Sequence, residues 1–280
     1  MDLVSKSEVK SLLKKYRLRP SRGLGQNFLV DKKVIKKIIE VADLRPEDIV
    51  LEIGPGLGVL TQELVKKAKK VIAVEKDPNL VGILNNELRI TNVKNVKIIQ
   101  GDILKTLDSK LPTPNPYKVI ANLPFYLTAP VIRKFLEADS RPKLMVLIIQ
   151  KEVAQRICAK PSKMNLLAVS VQFYADPKII SYIYKKSFWP QPKVDSTIIK
   201  ITIDNKQPAI SRDLFFKIVK AGFSQPRKQL INNLSKKLKV DKIKTEAWLY
   251  KNNIRPVQRA ETLSIKEWIK LTKTFLISLQ

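Results

Sequence analysis

Short apolar runs and amphipathic stretches alternate along the chain from Ile49 onward. The runs IVLEI, KVIAVE, VKIIQ, YKVIA and LMVLIIQ are rich in β-branched and apolar residues, as strands buried on both faces must be. Segments with helical spacing lie between them. This alternation predicts right-handed βαβ units and a parallel sheet covered on both sides. Pro177 to Tyr184 and Val194 to Ile203 read as two more strands, separated by the proline-broken FWPQPK, and predict an antiparallel edge pair. Upstream, Ser7 to Tyr16 has helical periodicity, and the loop RPSRGLGQNFLVD is punctuated by Gly23 and Gly25. Asp31 then caps a helix through Ala42, with Val34, Ile35, Ile38 and Ile39 at helical spacing. After the linker-like IDNKQPAIS, strand runs stop and the sequence is helical and lysine-rich. The pattern predicts a doubly wound α/β domain over residues 1–205 and a small all-α domain over residues 206–280.

Three consecutive strand ends carry candidate chemistry. LEIGPGLGVLTQEL is a strand, a glycine turn and a helix, with Gly54, Gly56 and Gly58 allowing a ligand close to the backbone. A dinucleotide fingerprint would place a third glycine where Val59 stands. The spacing here, preceded by Glu52, suits a nucleoside without a pyrophosphate and disfavours a nicotinamide dehydrogenase. Alone, such a turn is equally a structural βα connection. The next strand ends in Glu75, a carboxylate able to accept both ribose hydroxyls. The third ends in QGDIL, whose Asp102 can accept from an adenine amino group. Glycines, Glu and Asp in that order describe an S-adenosylmethionine pocket.

Composition narrows the chemistry and the partner. There is no histidine, so a His base, a Ser-His-Asp triad and a His-ligated metal are excluded. The single cysteine, Cys158, excludes an intrachain disulfide and a cysteine-rich metal site; in EVAQRICAK it reads as a core thiol within a helix. No metal is expected. The balance of 53 Lys+Arg against 25 Asp+Glu, a net +28, points to a polyanion, with nucleic acid ahead of an anionic membrane surface. There is no apolar run long enough to span a bilayer, and residues 1–10 carry no signal-peptide core. A cytoplasmic protein is expected, with a monomer as the default.

LGQNFLVD, LEIGPGLGVLT, VIAVEKD, QGDIL, ANLPFYLTAPVI, MVLIIQKEVAQRI, FWPQPKVDS, FSQPRKQLINNL and RPVQRAETLS together resemble the KsgA (RsmA) rRNA adenine dimethyltransferases, relatives of the Erm resistance methyltransferases. The resemblance runs through most of the chain. It implies a Rossmann-like S-adenosylmethionine-dependent methyltransferase domain with a small C-terminal all-α domain that binds RNA or the ribosome. The implied reaction places four methyl groups on two adjacent adenosines in the last hairpin of small-subunit rRNA, with the immature 30S subunit as partner. By position, Asn27, Leu29, Gly54, Glu75, Asp102 and Asn122 contact the cofactor. Gln26, Gly56, Gly58, Lys76 and Ile103 join that site, and the loop with Gln26 and Asn27 closes over it. The family's NLPY is NLPF here, keeping the ring without its hydroxyl. Pro226-Arg227 stands where paired arginines are usual. The tail favours this branch over Erm.

An adenine amino nitrogen is a weak nucleophile because its lone pair is delocalised. Two acceptors on its protons favour a pyramidal nitrogen. The Asn122 side-chain oxygen is one candidate, and a backbone carbonyl in Leu123-Pro124, aimed by the proline, is the other. Phe125 can stack on a flipped-out base. The methylated amine loses its proton to water, so no side-chain base is required. Phe188 is a second base platform or a core residue, as is Trp189. Arg22, with Arg17 and Arg19, and the tail pairs Arg227-Lys228 and Lys236-Lys237 are candidate phosphate contacts. The remaining readings are an Erm-like large-subunit enzyme and a non-enzymatic assembly or transcription factor on the same fold.

Overall fold

The computed structural model describes residues 4–107, 116–204 and 208–279, so part of the linker-like IDNKQPAIS lies outside the described residues. The chain divides into two compact units.

The first unit comprises Met1–Ala154 and Pro177–Ile203. Helix α1 (Lys6–Lys15) is capped by Ser5, whose hydroxyl accepts from the Glu8 N–H, two residues ahead of Ser7, where the helical periodicity begins. Strand β1 (Phe28–Leu29) leads into α2 (Lys32–Ala42), where Asp31 accepts from the N–H groups of Lys33 and Val34. Its buried stripe of Ile35, Ile38, Ile39 and Ala42 packs beneath the sheet. The βα alternation then runs through β2 (Ile49–Ile53), α3 (Val59–Leu64), β3 (Lys70–Glu75) and α4 (Pro78–Ile90). It continues with β4 (Val96–Gln100), α5 (Ile103–Thr106), β5 (Tyr117–Asn122), α6 (Thr128–Glu137), β6 (Leu144–Gln150) and α7 (Lys151–Ile157). Strands β7 (Ala175–Ile183), β8 (Phe188–Trp189) and β9 (Ser196–Ile203) complete it.

The main sheet has the order β4-β3-β2-β5-β6-β9-β7. From β4 to β6 every pairing is parallel, and β9 pairs antiparallel to β6. The two late strands are neighbours at one edge of the sheet, β7 outermost and β9 between it and β6, which is why Ile198, Ile199 and Ile201 of β9 are fully buried. FWPQPK is also more than a break. Its first two residues form β8, which pairs antiparallel with β1, Phe28 opposite Trp189 and Leu29 opposite Phe188. At the end where the parallel strands begin, buried Lys118 pairs with Asp48 at 2.8 Å and Lys143 reaches the same carboxylate at 2.6 Å. Burial opposes charge on Asp48, but the two lysines prevail and hold its pKa at about 2.

The second unit comprises Gln155–Asp176 and Asp204–Gln280. Its helices are α8 (Leu166–Gln172), α9 (Arg212–Gly222), α10 (Leu230–Leu238), α11 (Lys242–Lys251) and α12 (Ile265–Leu279). Residues 155–176 group with the tail helices, a division that a single cut at residue 205 does not anticipate. The reason is packing: the Phe173 ring stacks on Phe215 at 4.2 Å, and the Met164 N–H donates to Glu261 O. Trp248, Trp268 and Phe215 are buried in this unit, with Gly222 so close to Trp268 that a Cβ would lie 2.4 Å from its ring. Cys158 lies just past the end of α7 rather than inside a helix, and is half-buried.

Candidate active site

A cleft opens at the carboxyl ends of β2, β3, β4 and β5, where the strand order reverses on either side of β2. Ile53 lies opposite both Val74 and Ala121, so Gly54, Glu75 and Asn122 leave the sheet at one height. Gly54, Gly56 and Gly58 have φ of +64°, +62° and +88°, a region costly to residues with a Cβ. At Gly58 a Cβ would lie 2.7 Å from Leu84, while at Gly54 it would meet nothing within 4 Å. The first glycine packs the helix; the second leaves bare backbone facing the cleft.

Glu75 is nearly buried, and its carboxylate accepts from the backbone N–H groups of Gly56, Lys76 and Asp77 at 2.8–3.0 Å. Burial pushes its pKa up and those three donors oppose the rise. Asp102 caps α5 through Leu104 N–H and receives the Lys76 ammonium at 2.9 Å. That ion pair holds the Asp102 carboxyl below its usual range. Ile103 is buried in the cleft wall. Glu52 was noted in the sequence only as preceding the turn. It is 1 % exposed, accepts from the Thr61 hydroxyl at 2.7 Å, and its other oxygen, Oε1, has no partner among the described residues.

Asn122, the last residue of β5, donates through Nδ2 to the Asn27 carbonyl at 3.0 Å. A carbonyl can only accept, so the amide is fixed with Oδ1 away from Asn27. Leu123 N–H donates to Ile148 O, and Pro124 O accepts from Leu127 N–H. Pro124 O being committed, the Leu123 carbonyl is the acceptor available from this turn. Phe125 is half-buried in the cleft lining beside Tyr126, which is 51 % exposed and which the sequence had not singled out.

Residues 24–29 line the cleft. Gln26 Oε1 accepts from Ser21 N–H at 2.7 Å and its Nε2 donates to Asp77 at 2.8 Å. Gln26 is thus a latch between loop and α4, a role its position in the motif does not reveal. Leu29 and Phe188 both line the cleft and are both core residues, 1 % and 4 % exposed. Phe28 and Val9 also line it, placing α1 in its wall. Arg22 is exposed just ahead of the residues that line the cleft, and Arg227 and Lys228 are exposed in the α9–α10 connection of the second unit.

This donor set fits S-adenosylmethionine. Glu75 would accept ribose hydroxyls and Asp102 an amino group, and Gly54 leaves room for close approach. The orphaned Glu52 oxygen would complement a cationic group of the cofactor. Without that cation, burial and the neighbouring Glu75 charge raise the Glu52 pKa to about 8. The unfolded chain releases this proton near 4.5 and the folded chain near 8, so stability falls as pH rises through that window. Glu52→Gln removes the titration. Its stability relative to wild type is expected to rise by about 3 kcal/mol between pH 6 and pH 9, read by thermal unfolding at both values. Equal pH slopes for the two proteins would refute the assignment.

The family model described as "Ribosomal RNA adenine dimethylase" matches residues 18–275. The chain is 45 % identical over 265 residues to a protein named ribosomal RNA small subunit methyltransferase A from Dehalococcoides mccartyi, covering 94 % of this chain and 90 % of that one. It is 41 % identical to the protein of the same name from Alkaliphilus metalliredigens, covering 97 % of each. Among solved structures, a dimethyladenosine transferase from Plasmodium falciparum superposes with a TM-score of 0.77 at 25 % identity, covering 90 % of this chain and 98 % of that one. The 23S rRNA methyltransferase ErmE gives 0.73 at 26 %, covering 88 % and 98 %. With sheet, cleft and carboxylates arranged as described, the chain belongs to the ribosomal RNA adenine dimethylase family.

Proposed function

We propose that the protein dimethylates the exocyclic amino groups of two adjacent adenosines in the 3′-terminal hairpin of small-subunit rRNA, acting as a monomer on the immature 30S subunit in the cytoplasm. S-adenosylmethionine is the methyl donor and supplies an electrophilic methyl group when bound. The observation that carries the reading is the fixed Asn122 amide, tied by Nδ2 to Asn27 O beside the Leu123 carbonyl. In the first transfer Asn122 Oδ1 and Leu123 O accept the two amino protons and turn the nitrogen lone pair outward; in the second, one of these acceptors holds the single remaining proton. Phe125 holds the base by stacking, and its π face with the carbonyl dipoles favours the positive charge that develops on nitrogen. The cleft-lining loop, latched by Gln26 to Asp77, keeps water from the reacting groups. Positioning supplies much of the remaining acceleration. Proton loss goes to water, in keeping with a chain that has no histidine.

The small-subunit preference is supported by the names of the curated relatives. The exposed Arg227 and Lys228 are assigned to rRNA phosphates together with Arg22, and the helical tail to ribosome binding. The test is incubation of the purified protein with labelled cofactor and each immature subunit, followed by mass spectrometry of the labelled fragment. Two dimethylated neighbouring adenosines in the small-subunit 3′ hairpin are expected. Label confined to the large subunit would overturn the assignment in favour of an Erm-like activity.

A further inference from the structure

A second surface of the first unit adjoins the cleft, and none of the residues discussed so far accounts for it. Tyr182 and Tyr184, at the end of β7 and just beyond it, are 52 % and 67 % exposed. Leaving two large rings in water sacrifices burial that the fold could have used. Each has a cation beside it: Lys151 Nζ lies 5.0 Å from the Tyr182 ring centroid and Lys186 Nζ 5.7 Å from that of Tyr184. Asp195 ties this surface to the cleft. Its carbonyl accepts from Lys151 N–H and its carboxylate from Lys185 N–H at 3.0 Å, while the next residue, Ser196, lines the cleft.

We infer that Tyr182 and Tyr184, with Lys151 and Lys186, form a stacking platform for the unpaired nucleotides flanking the target adenosine. Exposed rings with ammonium groups beside them match single-stranded nucleic acid: bases stack on the rings and phosphates meet the lysines. A base drawn out of its stack leaves neighbours with exposed faces of their own, and Asp195 bonds the backbone of this platform one residue from Ser196 in the cleft lining. The net charge of +28 complements a polyanion rather than a basic or apolar protein surface. The inference rests on the rRNA reading above for its substrate.

The test compares wild type, Tyr182→Ala/Tyr184→Ala, the single Tyr184→Ala and the double Tyr→Phe variant. Each is titrated with the naked rRNA hairpin fragment, assayed for methylation of the immature subunit, and titrated calorimetrically with S-adenosylmethionine. Loss of two stacking surfaces should weaken hairpin binding and raise KM for the subunit about tenfold or more. The cofactor Kd and kcat should be unchanged, and the phenylalanine pair should behave as wild type. Unchanged hairpin affinity in the double alanine variant overturns the inference. So does a defect equal in the phenylalanine pair, or one seen with the assembled subunit but not the naked hairpin, which would mean a protein contact. If the double variant fails to fold, Tyr184→Ala decides by the same readouts. Wild-type protein that binds the hairpin but methylates only the large subunit would instead sink the substrate assignment and leave the platform standing.

Discussion

Replacing Asn122 with alanine should lower kcat at least a hundredfold while hairpin binding stays close to wild type. The size follows from the transition state. An adenine amino group must lose conjugation before its lone pair can attack, and an acceptor aimed at its proton stabilises that geometry more than the ground state. Removing one such preorganised hydrogen-bonding group typically costs about 10²–10³ in rate. Cofactor affinity should fall by much less, since Glu75 and the glycine backbone are untouched. Asn122→Asp is the sharper companion. It keeps an acceptor but sets an oxygen against Asn27 O, where the wild-type amide donates at 3.0 Å. Two acceptors at that distance repel, so the cleft-lining loop should lift and activity should again collapse. Single-turnover methylation under saturating cofactor checks both variants. Full activity in Asn122→Ala would remove this residue from the mechanism, and full activity in Asn122→Asp would remove the Asn27 tether.

These expectations start from positions that local pattern exposes. Strands β2, β3 and β6 coincide with the apolar runs IVLEI, KVIAVE and LMVLIIQ, because a strand covered on both faces has to be almost wholly apolar; β4 coincides with VKIIQ although it lies at the sheet edge with none of its residues buried. Glycines and carboxylates at strand ends were legible for the same reason: the run stops where the chain reaches the cleft. What stayed hidden depends on partners distant in sequence. Gln26 is a latch only because Asp77 is 51 residues away in the chain and 2.8 Å away in space. The pairing of β1 with β8 joins Leu29 to Phe188 across a two-residue strand with no periodicity to detect. Residues 155–176 carry helical signals that say nothing of which core receives Phe173. Glu52 could be seen beside the turn, but not that one of its oxygens would be buried without a partner.

Glu75→Ala should weaken S-adenosylmethionine binding by about a hundredfold or more, measured by calorimetry. The carboxylate is the group best placed to accept ribose hydroxyls, and charge-assisted hydrogen bonds contribute about 1.5–3 kcal/mol each. Two of them would account for the loss, at about 1.4 kcal/mol per tenfold. Glu75 also organises the cleft before any ligand arrives. Gly56, Lys76 and Asp77 all direct their N–H groups at it, so one side chain joins the glycine turn to the start of α4. Alanine frees three donors at once, and the turn loses the anchor that holds its left-handed glycines in place. Glu75→Gln separates the two contributions. Its amide oxygen can still serve Lys76 and Asp77, but its NH₂ opposes the Gly56 N–H, so the turn is disturbed while a neutral acceptor remains. An intermediate loss of affinity is therefore expected, with thermal stability closer to wild type than in the alanine variant. If glutamine binds as weakly as alanine but keeps wild-type stability, the negative charge itself carries recognition. If both variants bind normally, the ribose is held elsewhere, and the strand-end carboxylate is only a clasp for the glycine turn.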